Sequence, residues 1–150
     1  MSQTAQPTGF KTTLINSGFT GDLVIPGDPD YATSLLRFAK NAQKNAGLVA
    51  FVKSAEDVSR VIKFVKAQAA QGTALPVVIR GGGHSTSGAS STEGGIVIDL
   101  SRYLKTVQVD ADERLGYVGG GATWAVVDAE AIKHGLAMPA GTVNHTGVGG

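Results

Sequence analysis

Residues 80–88 read Arg80-Gly81-Gly82-Gly83-His84-Ser85-Thr86-Ser87-Gly88, directly after the apolar run Pro76-Val77-Val78-Ile79. Three consecutive glycines allow positive φ and let a ligand approach with no Cβ in the way. Their N–H groups can turn toward one point and form a concave nest for an anion such as a pyrophosphate. Taken alone, Gly-Gly-Gly is most simply a flexible surface turn. The flanking chemistry argues for more. A strand delivers the loop, Arg80 opens it with a permanent charge, and the nucleophile His84 stands directly after the nest. Ser85 and Ser87 add hydroxyl hydrogen bonds.

The loop lacks the Lys-Ser/Thr ending of a P-loop, and no Gly-x-Gly-x-x-Gly opens a helix behind it. A nucleotide bound here is therefore held in a different fold from either. A second cluster, Gly119-Gly120-Gly121, precedes a helix-like segment, and a third, Gly147-Val148-Gly149-Gly150, ends the sequence. Most of the 21 glycines lie in this second half. It is rich in backbone suited to close approach.

A chain of 150 residues suffices for one domain with a real core. The formal net charge of +1, with no basic run, speaks against nucleic-acid or anionic-membrane binding driven by bulk electrostatics. The absence of cysteine removes disulfides, thiolate nucleophiles and sulfur metal ligands, and fits a cytoplasmic protein. Met1 to Lys11 is polar, without the apolar core of a secretory signal. No apolar run approaches the roughly 20 residues of a membrane span. The final residue sits inside a glycine motif, whereas domain boundaries normally fall in exposed linkers, so the chain reads as a piece of something longer.

Residues 1–13 are expected to form a mobile arm. Asp28-Pro29 has the chemistry of a helix start, with Asp28 as cap and Pro29 at the first helical position. Tyr31, Leu35, Phe38 and Ala39 follow at helical spacing, which predicts an amphipathic helix to about Ala42. Leu48 to Val52 reads as a short strand. Ser54 with Asp57 resembles a capping box, and Val58, Val61, Ile62 and Val65 form the buried stripe of the helix behind it. Strand 48–52, helix 54–70 and strand 76–80 make a βαβ unit with a right-handed crossover and two parallel strands. The glycine loop then lies at the carboxyl end of the second strand, where open α/β sheets place ligands. Ile96 to Leu100 is a buried strand, and Val107–Val109 with Leu115–Val118 flank an acidic hairpin turn. Thr123 caps a helix running past Trp124 to His134, with Gly135 as its C′ residue.

Four ordered pieces now stand together: Arg-Gly-Gly-Gly-His-Ser, Gly-Gly-Ile-Val-Ile-Asp-Leu-Ser-Arg, Val-Gly-Gly-Gly-Ala-Thr-Trp and Thr-Gly-Val-Gly-Gly. Over residues 42–150 the chain resembles the FAD-binding domain of the vanillyl-alcohol oxidase / p-cresol methylhydroxylase (PCMH-type) flavoproteins. It is most similar to the berberine-bridge-enzyme-like and 6-hydroxy-D-nicotine oxidase-like members. The resemblance implies an α+β fold: a βαβ unit followed by a mainly antiparallel sheet with flanking helices. Residues 1–41 precede that domain as an arm and helix, its C-terminal part is incomplete, and the substrate domain is absent.

The same resemblance implies that Arg80, Gly81, Gly82, Gly83, His84, Ser85, Ser87 and Gly88 wrap the pyrophosphate of FAD. Gly141, Thr142, Val143, Thr146, Gly147, Val148 and Gly149 are implied to line its isoalloxazine and pyrophosphate. His84 matches the histidine that family members commonly join to the flavin 8α-methyl. That attachment needs a neutral imidazole to add to an electrophilic form of the flavin, promoted by a cation or helix N-terminus that stabilises reduced flavin. In non-covalent relatives the histidine merely hydrogen-bonds the loop or the flavin. A second bond, from a cysteine at the position of Val143, is excluded here. Thr146 replaces a Val or Leu linked to oxygen access in plant members, so oxidase or dehydrogenase behaviour stays open.

The implied function is that of the FAD domain of an oxidoreductase taking a hydride from a CH–OH or CH–N group of a small organic substrate. The catalytic base and substrate pocket belong to the absent domain, so no catalytic residue is expected within 1–150. The competing readings are a truncated flavin-binding module without activity and a non-covalent FAD subunit of a larger redox complex. No metal site is expected, since His134 and His145 lack ligand spacing and acidic neighbours. His134 reads as a cation near a helix C-terminus. His145 reads equally as a polar contact on the flavin side or a solvent-facing loop residue. Trp124 reads as core, and Asp99 as a carboxylate bonded to nearby backbone.

Overall fold

The computed structural model describes residues 7–149. Two strands form its centre: β2 (Leu48–Phe51) and β4 (Ile96–Asp99), parallel, with Leu48 opposite Ile96. Every residue of both is buried. A strand buried on both faces reads as a continuous apolar run, which is how residues 48–51 and 96–98 are written, with the buried Asp99 ending the second strand. β1 (Asp22–Val24) pairs antiparallel with β2 at one edge, and β3 (Val77–Arg80) pairs parallel with β4 at the other. The order is β1-β2-β4-β3. The two strands of the expected βαβ unit are therefore parallel but not adjacent, because β4 fills the place between them.

Alternation along the central strands separates two cores. Leu48, Ala50, Ile96 and Ile98 face one side with Phe10, Leu14, Val61 and Phe64. Val49, Phe51 and Val97 face the other with Val24 and Ala46. α1 (Pro7–Asn16) and α3 (Ala55–Ala70) cover the first face. Phe10 meets Phe64 edge-on, with centroids 5.3 Å apart. The expectation of a mobile arm over residues 1–13 is thus corrected over its second half. Phe10 and Leu14, one helical turn apart, dock α1 on the sheet, and residues 1–6 lie outside those described.

α3 begins as expected, with the Ser54 hydroxyl accepting from the Asp57 amide at 3.3 Å. Val58, Val61 and Val65 of its expected stripe do meet the core, but the stripe is shifted toward Asp57 and Phe64. Asp57, Val61 and Phe64 point inward, whereas Ile62 is 47% exposed. The cause is the buried Asp57 carboxylate, which accepts from the Thr20 amide and hydroxyl at 2.9 and 2.8 Å and from the Lys53 amide at 3.1 Å. It joins three segments at once. Burial pushes its carboxyl up, but these hydrogen bonds and the nearby Arg60 outweigh that and hold it below the usual aspartate value.

The helix expected from Asp28 to Ala42 is also corrected. α2 covers only Tyr31–Ser34, with a single 3₁₀ turn later at Lys40–Ala42. Asp28 does not cap it; its carboxylate takes the Ile25 amide at 3.1 Å and Lys11 Nζ at 2.7 Å. Beyond Leu35 the chain turns Arg37 into the interior, to the carbonyl of Ser90, and a continued helix would not make that contact. Tertiary hydrogen bonding has overridden the periodic pattern.

The second layer is smaller. β5 (Val107–Asp110) and β6 (Leu115–Val118) form the expected antiparallel hairpin, with Val107 opposite Val118. α4 (Trp124–Ala131) continues as a 3₁₀ turn over Ile132–His134 and closes on Gly135 at φ 66°. The Thr123 side chain makes no capping bond. Main-chain carbonyls take its place: the Trp124 amide donates to Thr146 O at 3.0 Å and the Ala125 amide to Asn144 O at 2.7 Å. No helix among the described residues is long and apolar enough to cross a membrane.

Candidate cofactor-binding cleft

The glycine loop leaves the carboxyl end of β3 and opens onto a cleft of about 650 Å³. Gly81, Gly82, Gly83, His84 and Ser85 form one wall; Gly141, Thr146, Gly147 and Gly149 form the facing one. The two segments touch through backbone. A Cβ on Gly82 would stand 2.6 Å from Gly147 N, and one on Gly147 2.6 Å from Gly82 N. The second glycine cluster joins them, since a Cβ on Gly81 would lie 2.8 Å from Gly120 O. Three stretches far apart in sequence thus meet because none carries a side chain there.

Local hydrogen bonding explains how they are held. The Val148 amide donates to Ala122 O at 3.1 Å, and Thr123 and Gly147 form a single antiparallel bridge. Residues 146–148 therefore run beside the start of α4. Within the loop, Gly83 takes φ 69° and Gly88 φ 82°, whereas Gly81 and Gly82 do not need the left-handed region. The Gly83 carbonyl accepts from the Phe38 amide at 3.1 Å. Among the described residues, no acceptor is bonded to the amides of Gly81, Gly82, Gly83, His84 or Ser85. Such a row of unpaired donors at a concave surface suits an anion.

The expected site residues divide into two groups. Nine line the cleft, as given above. Arg80 does not: its Nη1 pairs with Asp99 at 2.7 Å, with only 18% of the side chain exposed, so its charge is spent beneath the loop. Asp99 is thus an ion-pair partner as well as an acceptor for the Ser101 amide and hydroxyl. Ser87 faces solvent and shares a 3.0 Å hydrogen bond with Ser85. Gly88 is buried behind the loop against Lys44. Thr142 and Val143 are exposed and off the cleft, and Val148 lines a separate apolar cavity of about 520 Å³ between the hairpin and residues 136–139.

His84 stacks on Phe38 with ring centroids 3.9 Å apart and planes 15° apart, and His145 lies 4.9 Å from His84. His84 and His145 are therefore neighbours. His84 Nε2 is buried without a hydrogen-bond partner among the described residues. The Ser90 hydroxyl is likewise buried and unpartnered, and Ser90 lines the same cleft.

Sequence reading missed Ile79, Ala89, Ser90, Leu100, Gly120 and Trp124 as lining residues. No local pattern marked Ser90; its burial with Ser91 and Thr92, where polar groups want partners, shows only in the fold. Trp124 is not core. It stands half-buried in the wall between the cleft and the apolar cavity.

A glycine cradle with unpaired amides, an unpartnered imidazole and a buried hydroxyl, set at the end of a parallel strand, is the donor set of a nucleotide-cofactor domain. The chain belongs to the FAD binding domain family, whose model matches residues 46–150. It is 31% identical over 131 residues to the uncharacterized FAD-linked oxidoreductase YgaK of Bacillus subtilis, covering 87% of this chain and 28% of that protein. The fold matches 6-hydroxy-D-nicotine oxidase of Arthrobacter nicotinovorans with a TM-score of 0.79 and 26% identity, over 86% of this chain and 27% of that one. It also matches glucooligosaccharide oxidase of Acremonium strictum, described with a 6-S-cysteinyl, 8α-N1-histidyl FAD. That TM-score is 0.80 at 21% identity, over 94% and 28% of the two chains. The chain therefore spans little more than a quarter of each of these three proteins.

Proposed function

We propose that the cleft holds FAD, with the diphosphate over the amides of Gly81 to Gly83 and the flavin ring toward His84, Thr146 and Gly147. The observation that carries this reading is the meeting of unpaired loop amides and an unpartnered His84 Nε2 at one cleft. A diphosphate accepts from several N–H donors at once, and Ser90 would add a hydroxyl. Bound there, FAD would supply hydride acceptance, the chemistry no side chain provides. The residues of this chain orient it and exclude water. The whole protein is then an oxidoreductase acting on a CH–OH or CH–N group of a small organic substrate. Its base and substrate pocket are proposed to lie outside these 150 residues. A cytoplasmic setting is part of the same reading, supported by the cysteine-free sequence.

His84 is proposed as the single covalent anchor, through the flavin 8α-methyl. These 150 residues hold no cysteine that could make a second, cysteinyl link. A second, non-covalent reading draws on the stacking against Phe38, which already gives the imidazole a place to rest. The visible spectrum of the purified chain decides. Yellow colour that survives acid precipitation, and is lost from the precipitate in His84→Ala while FAD still binds, supports the anchor. Colour released entirely into the supernatant of wild type overturns it in favour of the second reading. A chain that neither carries nor takes up FAD overturns both.

A further inference from the structure

Arg37 is the least expected residue near the cleft. It is 8% exposed, yet none of its hydrogen bonds goes to an anion. Nε and Nη2 donate to the Ser90 carbonyl at 3.1 and 2.9 Å; Nη1 donates to the carbonyls of Ser34 and Leu36 at 3.1 and 2.8 Å. Its charged neighbours are Arg80 and Asp99, and Asp99 already pairs with Arg80 at 2.7 Å. Two guanidinium groups thus share one carboxylate, leaving one positive charge in the interior. Burial, with Arg80 adding, lowers Arg37 to about 10, so it stays charged at neutral pH.

A buried charge without a counter-ion is costly, and proteins usually pair it. The location of this one is informative. A Cβ on Gly83 would meet Arg80 Nε at 2.9 Å and Arg37 Cδ at 3.2 Å, so both arginines lie against the back of that glycine. Gly83 and Ser90 are both on the cleft wall, and the Ser90 hydroxyl is buried without a partner. Arg37 therefore grips the far end of the loop by its Ser90 carbonyl while sitting behind the loop's glycines.

We infer that Arg37 is a positioning residue for an anion in the cleft: it fixes the loop between Gly83 and Ser90, and the counter-ion its charge lacks is the diphosphate of the bound dinucleotide. The inference rests on the reading of the cleft as an FAD site and adds the source of its affinity for the diphosphate. The guanidinium acts from behind the wall, so its reach is electrostatic and through the Ser90 grip. Lysine keeps the charge but cannot span one carbonyl with two N–H groups.

The test compares FAD, inorganic pyrophosphate and phosphate-free riboflavin on the full chain. In wild type, pyrophosphate should raise the melting temperature more than sodium chloride at equal ionic strength. Arg37→Met should lose that rise and bind FAD about tenfold or more weakly, the loss expected for one charged partner. Its riboflavin affinity should fall far less, since riboflavin has no diphosphate. Arg37→Lys should keep part of the pyrophosphate rise with weakened FAD binding, and it serves if the methionine variant does not fold. Equal FAD affinity in wild type and Arg37→Met overturns the role of Arg37 and leaves the FAD site standing. Absence of a specific pyrophosphate effect in a wild type that binds FAD does the same. A wild type that binds neither FAD nor pyrophosphate removes the site and the inference together.

Discussion

Gly82 and Gly147 approach so closely that a Cβ on either would stand 2.6 Å from the amide nitrogen of the other. Sixty-five positions apart in sequence, they are joined by the lack of a side chain on both. The glycines at this point thus serve loop packing first, and the shape of the cleft follows from it. Gly82→Ala and Gly147→Ala must push backbone apart, at about 1–3 kcal/mol each. Both variants should melt earlier than wild type and bind FAD more weakly. Gly9→Ala is the matched control: its Cβ meets nothing within 4 Å inside α1, and it should gain about 0.5–1 kcal/mol. Thermal denaturation of the three side by side checks the contrast, and an unaltered Gly82→Ala would contradict it.

The Asp99–Arg80 pair gives a second prediction. Asp99 is fully buried and bonds Arg80 Nη1 at 2.7 Å. Asp99→Asn removes the one carboxylate that Arg80 and Arg37 share among the described residues, leaving two like charges under the loop. Loss of one partner from a buried pair costs about 3–5 kcal/mol. Urea unfolding should show that loss, and a double variant adding Arg80→Met should recover part of it. A purely additive double variant would mean that the pair is not coupled.

The third prediction concerns pH. Asp57 is held below its usual value in the folded protein, since its hydrogen bonds from Thr20 and Lys53 outweigh burial. A carboxylate with a depressed folded pKa contributes stability in full above the unfolded value of about 4. That contribution disappears as pH falls through the folded value. Asp57→Asn should cost about 2–4 kcal/mol at neutral pH, through unmet donors at three segments. It should also flatten the acid limb of the stability curve. A variant with the wild-type acid limb would show that Asp57 is not the group responsible.

Much of the fold was legible because the central strands obey simple rules. Residues 48–51 and 96–98 are uninterrupted apolar runs, and both are buried on two faces. Gly135 ends the α4 segment in the left-handed region its position requires. The failures share another cause. Asp57, Arg37 and Asp28 are polar residues whose partners lie 37, 53 and 17 positions away, and no local pattern encodes such distances. Asp57 shifted the helix stripe, and Arg37 ended a helix that its neighbours favour. At the cleft, motif spacing found the glycines and His84, while Ser90 and Trp124 reach it only through the folding of separate segments.

The chain contains a single tryptophan, and it forms the partition between the cleft and the apolar cavity beside it. All indole emission from these 150 residues therefore originates at the place where a yellow chromophore would lie. Energy transfer to an isoalloxazine is strong at such range, so the native fluorescence should dim in step with uptake. The molecule carries its own optical gauge of occupancy, with no label to attach and no second indole to subtract.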